Sequence, residues 1–159
     1  MYAVDVVTIV AGLGSGLVAG IFFTFSNFVM PALARLPKPQ GIRAMQAINL
    51  TVINPGAMLA MFGTGLVCLI MGVLGLVLTD GPEQWLYLAG ALLYVLGCVG
   101  VTIAGNVPLN EKLAQADAAS EEAAELWVHY LKRWTHWNTT RTIASAMASL
   151  ACMAALVLS

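Results

Sequence analysis

The stretch from Val6 to Pro31, VVTIVAGLGSGLVAGIFFTFSNFVMP, carries no charge, and its polar side chains are only Thr8, Ser15, Thr24, Ser26 and Asn27. A helix of about 20 such residues crosses the ~30 Å hydrocarbon core of a bilayer. The stretch therefore predicts a transmembrane helix over residues 6–30, ended near Pro31, whose ring cannot continue the ladder. It reads as a span rather than a leader. Asp5 is the only charge ahead of it, where a leader would be basic, and it is longer than a leader's apolar region.

Three further apolar runs follow, at 55–79, 84–104 and 139–158, with Pro55 suited to a first helical turn. Residues 1–159 thus read as one integral membrane domain, an all-α four-helix transmembrane bundle. Composition agrees: 60% of the chain is hydrophobic and 9% charged, against roughly 25% charged in a soluble domain. A net charge of −1 and a pI near 6.0 supply no basic field, and no zinc-finger, helix-turn-helix or RNA-binding signature occurs, so nucleic acid is excluded as a partner. Membrane lipids are the expected surroundings. Cys68, Cys98 and Cys152 sit in apolar runs without a CxxC and read as small buried hydrophobes.

The connections set the topology. Asp80-Gly81-Pro82-Glu83 is a tight turn between the second and third spans. The seven Lys and Arg residues are Arg35, Lys38, Arg43, Lys112, Lys132, Arg133 and Arg141. All lie on one side of an alternating four-span path. The positive-inside rule makes that side cytoplasmic and places both termini outside, as expected of a multi-pass protein of the cell membrane. Both long connections predict short interfacial or cytoplasmic helices. Gly41–Ile53 offers Ile42, Met45, Ile48 and Val52 as apolar anchors, with Gln46 and Asn49 an i, i+3 pair. Asn106-Val-Pro-Leu-Asn110 predicts a break, with Val107 extended before Pro108 and Asn110 capping a new turn. Ser120 before Glu121 and Glu122 predicts a helix start that runs on into the fourth span.

Gly12, Gly16 and Gly20 recur every fourth residue, which predicts a close-packing face within the bundle, or a face for homo-oligomer formation; Gly97 and Gly100 suggest the same for the third span.

Polar residues gather at the cytoplasmic end: Asn27, Gln46, Asn49, Asn106, Asn110 and the segment Trp127–Arg141. Trp127, Tyr130, Trp134, Asn138 and Arg141 share one helical face, aromatic first, then amide, then guanidinium. Such a face suits an interfacial aromatic belt with Arg141 snorkelling to phosphates. It equally suits a pocket wall that stacks a flat ligand and fixes it with polar tips. His129, Arg133 and His136 occupy the other face. A solvated face or a single general base fits these histidines. Their spacing with no carboxylate beside them argues against a metal, and no nucleotide or cofactor fingerprint occurs.

Phe25-Ser-Asn-Phe-Val-Met-Pro-Ala-Leu33, Met45-Gln-Ala-Ile-Asn49, Asn106-Val-Pro-Leu-Asn110 and Trp134-x-x-Trp137-Asn138-x-x-Arg141 together resemble the DUF1772 family of anthrone oxygenase-like integral membrane proteins. The resemblance implies oxidation of a flat, hydrophobic polycyclic anthrone to an anthraquinone by molecular oxygen (O2), with no cofactor. In that chemistry the protein supplies a base, donors for the developing oxyanion and a dry slot. The resemblance implies Arg141 and Asn138 as oxyanion donors, with Asn106 and Asn110 adding to them, and Trp134 and Trp137 as stacking walls. Asn27, Gln46 and Asn49 complete the expected substrate site, and His129 or His136 is the candidate base. The alternative is a non-catalytic membrane module that binds a lipid, a quinone-like molecule or a partner protein. A transporter is disfavoured, because no charge stands at mid-membrane.

Overall fold

The computed structural model describes residues 3–159. The described residues form helices joined by short turns, with no strand: α1 (Ala3–Ala34), α2 (Lys38–Thr51), α3 (Pro55–Leu78), α4 (Glu83–Ala114) and α5 (Glu121–Leu158). α1, α3, α4 and α5 are the four that are long and apolar enough to cross a membrane, which makes this a multi-pass membrane protein. They form an up-down-up-down bundle in which α1 packs on α3 and α5, and α4 packs on the same two. Every neighbour is therefore antiparallel. α2 lies across the basic end, where Gly41 meets the Trp127 ring of α5 and Gln46 Nε2 donates to the Leu113 and Ala116 carbonyls at the end of α4.

Local chemistry explains the helix starts. Asn54 caps α3 by accepting from the Ala57 N–H at 3.0 Å, with Pro55 in the first turn. Ser120 caps α5 by accepting from the Ala123 N–H at 3.1 Å, and Glu121 and Glu122 stand at the positive end of the dipole. From that start α5 runs unbroken for 38 residues, about 57 Å. Its first part therefore reaches well beyond the bilayer core.

Two prolines behave differently from expectation. Helix one does not end at Pro31, and helix three does not break at Asn106–Asn110. Each continues through a widened turn. The Met30 N–H reaches back five residues to the Phe25 carbonyl, and the Val107 N–H does the same to the Thr102 carbonyl. In both cases the proline comes next. Widening moves the preceding carbonyls away from the proline ring, which removes the clash that would break an α ladder. Val107 is consequently helical rather than extended. Asn110 caps nothing, and its side chain is used in a tertiary contact described below.

Close approach needs glycine at two points of the α4–α5 interface. A Cβ on Gly97 would lie 2.5 Å from that of Ala144, and one on Gly105 would lie 2.8 Å from the Trp137 ring. Gly12 and Gly16 pack against Cys152 and Ser149 of α5, whereas a Cβ on Gly20 would meet nothing within 4 Å. The expected three-glycine face is thus a two-glycine face, and the α1–α5 contact within the chain uses it.

The apolar core is divided. One cluster, including Val18, Cys68, Met71, Tyr94 and Cys152, fills the bundle toward the termini. Another, including Met30, Ile42, Met45, Trp127 and Trp134, fills the basic end beneath α2. The polar layer containing Asn138 and Arg141 lies between them.

Candidate functional site

The face of α5 anticipated from spacing is buried along its whole length: Trp127 is 1% exposed, Tyr130 0%, Trp134 5%, Asn138 0% and Arg141 5%. Arg141 does not snorkel. Its Nη2 donates to Asn138 Oδ1 at 2.6 Å and its Nη1 to Thr102 Oγ1 at 3.1 Å, while its Nε has no hydrogen-bond partner. The guanidinium carbon lies 4.0 Å from the Phe22 ring centroid and 5.5 Å from that of Trp134. Among the described residues its direct partners are an amide, a hydroxyl and two rings, with no carboxylate. The charge is held by cation–π attraction and neutral acceptors, both strong where water is excluded.

The hydrogens of this layer run one way. Thr102 donates to the Cys98 carbonyl at 2.8 Å, so its lone pairs face Arg141. Asn138, with its oxygen taken by Arg141, donates from Nδ2 to the Phe22 carbonyl at 2.6 Å and to Ser26 Oγ at 2.8 Å. Ser26 and Thr139 hydroxyls are 2.9 Å apart, and Thr139 also bonds the Thr135 carbonyl at 2.9 Å. The assignment that satisfies every acceptor is Asn138 to Ser26, Ser26 to Thr139, Thr139 to the Thr135 carbonyl. Side-chain donors also meet the widened turn of α3, where the Tyr94 hydroxyl donates to the Met61 carbonyl at 3.0 Å.

A second polar layer lies nearer the basic end. Asn110 Oδ1 accepts from the Tyr130 hydroxyl at 2.7 Å and from Trp134 Nε1 at 2.8 Å. Asn49 Nδ2 reaches the Tyr130 hydroxyl at 3.3 Å. Asn106 Nδ2 donates to the Trp134 carbonyl at 3.2 Å, and its Oδ1 is buried without a partner. Trp127, Tyr130 and Trp134 stack in series at 5.6 Å and 6.1 Å, and Phe25 leans on Trp134 at 5.8 Å. Trp134 is therefore packed into protein on both faces. Trp137 is half-buried against Gly105, with Arg133 over its ring and His136 at its edge.

The anticipated residues thus divide into groups. Asn138 and Arg141 share the deep layer, while Gln46, Asn49, Asn110 and Trp134 knit α2, α4 and α5 together. Asn27 is exposed on the outer surface of α1 and joins neither group. His129 and His136 are both exposed. Only His136 borders an open groove of about 570 Å³ between the end of α1 and α5. Met30, Pro31, Ala34 and Leu131 make its apolar lining, and Lys132, Arg133, Thr135, His136 and Thr139 its polar lining. A second groove of about 420 Å³, between the same helices nearer the termini, has no base or cation in its lining.

Ser26, Thr102 and Thr139 are the members of the site that sequence reading misses. A hydroxyl in a span ordinarily bonds the carbonyl four residues back, so nothing in their spacing marks them. The one available signal is position: Ser26 precedes Pro31 by about a turn, and Thr139 follows Asn138.

Fold and site define a four-span helical membrane protein with a buried, carboxylate-free guanidinium layer behind a groove open at its basic end. The family model described as anthrone oxygenase matches residues 52–151, and the chain belongs to that family. The matched region takes in α3, α4 and most of α5, including Asn106, Asn110, Asn138 and Arg141. No curated protein and no solved structure matches the chain.

Proposed function

We propose that this protein is a membrane-embedded oxygenase that converts a flat, anthrone-like polycyclic substrate to the corresponding quinone with O2, in the groove between α1 and α5. Family membership supports an oxygenase role in general. The groove is the observation that carries the finer reading. It brings an imidazole, two cations and an apolar floor together at the basic end of the bundle. Its volume falls in the range of roughly 300–1,000 Å³ typical of small-molecule sites.

The reaction consumes one anthrone and one O2 and yields one anthraquinone and one water. His136 takes a proton from the ring methylene, and the carbanion delocalises onto the carbonyl oxygen as an enolate. Lys132 and Arg133 favour that negative charge. The enolate passes one electron to O2. The ring radical and superoxide couple to a carbon–oxygen bond, and the imidazolium protonates the peroxide. Removal of the remaining hydrogen on that carbon then breaks the oxygen–oxygen bond. The new carbonyl forms, and hydroxide leaves and takes up the proton as water.

A second reading rests on the same cations. Lys132 and Arg133 above an apolar floor also suit a phospholipid, with its phosphate at the basic residues and an acyl chain below. The deciding experiment adds purified protein to an anthrone under air and follows quinone absorbance against a heat-treated control. The oxygenase reading expects formation above the control. A rate equal to the control, with phospholipid retained through purification, favours the binding module.

A further inference from the structure

The deep layer and the groove meet at a pair of hydroxyls to which the mechanism above gives no role. Thr139 lines the groove, and Ser26, 2.9 Å behind it, accepts from Asn138, which in turn accepts from Arg141. We propose that Ser26 and Thr139 form the oxyanion donor of the groove, supplied from behind by the buried Arg141–Asn138 pair. The inference rests on the groove being the substrate site.

Directionality carries the argument. Arg141 bonds the Asn138 oxygen, and drawing electron density toward that oxygen makes the Nδ2 hydrogens better donors. One of them goes to Ser26 Oγ, which passes its own hydrogen to Thr139. Each bond in such a chain strengthens the next, by roughly 10–30% in condensed phase. The last hydrogen, on Thr139, now rests on the Thr135 carbonyl. That carbonyl lies inside α5, where the helical ladder already supplies it with an N–H donor. The Thr139 hydroxyl can therefore rotate to a ligand oxygen in the groove without leaving the carbonyl unpaired. The chain delivers the influence of a cation to the groove while the guanidinium itself stays 5% exposed and fixed by Thr102 and Phe22. No bond is made or broken in this step. Only hydrogen bonds are exchanged, and the ligand it selects is a flat aromatic bearing an enolate or phenolate oxygen.

The test compares wild type with Thr139→Val, Thr139→Ser and Ser26→Ala. One readout is the kinetics of anthrone oxidation. The other is the absorbance of the hydroxyanthraquinone dye alizarin, whose phenolate absorbs at longer wavelength than its neutral form. Thr139→Val should lower kcat by about 100-fold with a much smaller change in KM. It should also abolish the long-wavelength band of bound alizarin. Thr139→Ser should restore both, and Ser26→Ala should fall between. Wild-type kcat and an unchanged alizarin band in Thr139→Val overturn the proposal. If Thr139→Val does not fold, equal values for Ser26→Ala and wild type overturn it instead. A band that depends on Thr139 in a protein that oxidises no anthrone upholds the donor pair and removes the oxygenase reading. Oxidation indifferent to both hydroxyls does the reverse.

Discussion

Arg141 donates to the side-chain oxygen of Asn138, one turn earlier on the same helix, at 2.6 Å. The bond sets how the whole deep layer works. With its oxygen committed, Asn138 can offer only hydrogens to α1, and both go there, to the Phe22 carbonyl and to Ser26. The guanidinium thus orients the amide, and the amide ties α5 to α1 at Phe22, ahead of the widened turn Phe25–Val29, and at Ser26 within it. A buried cation without a carboxylate costs desolvation energy that a hydrophobic residue would not. Its place between two apolar clusters is better explained by what it does to its neighbours than by stability.

Glycine positions give a test of the packing. Gly97→Ala would place a methyl group 2.5 Å from the Ala144 Cβ. Forcing α4 and α5 apart should destabilise the protein by about 1–3 kcal/mol. Gly20→Ala, with nothing within 4 Å, should be neutral or stabilise by up to ~1 kcal/mol through reduced chain entropy. Thermal melting in detergent reads both. Equal midpoints for the two variants would mean that α4 and α5 do not approach closely at Gly97.

How far the sequence carries depends on which force acts. The spans are legible because an uncharged run of that length has one solvent that suits it, and the buried face of α5 is legible because its spacing stays in helical phase for several turns. The proline-containing segments are misread because the rule against helical proline assumes an α ladder. A widened turn relaxes the clash and also shifts helical phase. Within that turn Ser26 faces Asn138 and Asn27, the next residue, turns outward. The groove itself is not legible, since it arises from how the end of α1 lies against α5, and His129 and His136 look alike in sequence although only one of them borders it.

Charge gives a prediction of membrane orientation. Arg35, Lys38, Arg43, Lys112, Lys132 and Arg133 all belong to the end of the bundle crossed by α2, and the positive-inside rule predicts that this end faces the cytoplasm. Reporter fusions after Thr79 and at the C-terminus should both behave as external. A cytoplasmic signal from either fusion overturns the orientation.

The two histidines should separate kinetically. His136→Gln removes the base proposed for the groove, and general-base loss lowers rates by about 100- to 10,000-fold. His129 is exposed and does not line the groove, so His129→Gln should keep wild-type kcat. Initial rates of quinone formation decide it. Equal activity in His136→Gln and wild type would remove His136 from the mechanism.

Arg141 should act on catalysis from a distance and through one neighbour. Arg141→Met leaves Asn138 Oδ1 and a Thr102 lone pair unpaired in the interior, which costs about 1–3 kcal/mol. It also lifts the desolvation penalty of the cation, which offsets part of that loss, so the bundle should still form. Because the guanidinium reaches the groove only through Asn138, Ser26 and Thr139, its removal should lower kcat by about 10-fold, or ~1.4 kcal/mol. That is less than the loss expected for a donor in direct contact with substrate. Arg141→Lys keeps the charge without the planar fork, cannot hold Asn138 and Thr102 in the same geometry, and should rescue only in part. The route is tested by a double-mutant cycle. In an Asn138→Ala background the chain is already cut, so Arg141→Met should cost no further kcat, and the two losses should be strongly non-additive. Losses that multiply would show that Arg141 does not act through Asn138. The relay would then be a packing feature of α1 and α5 rather than part of the site.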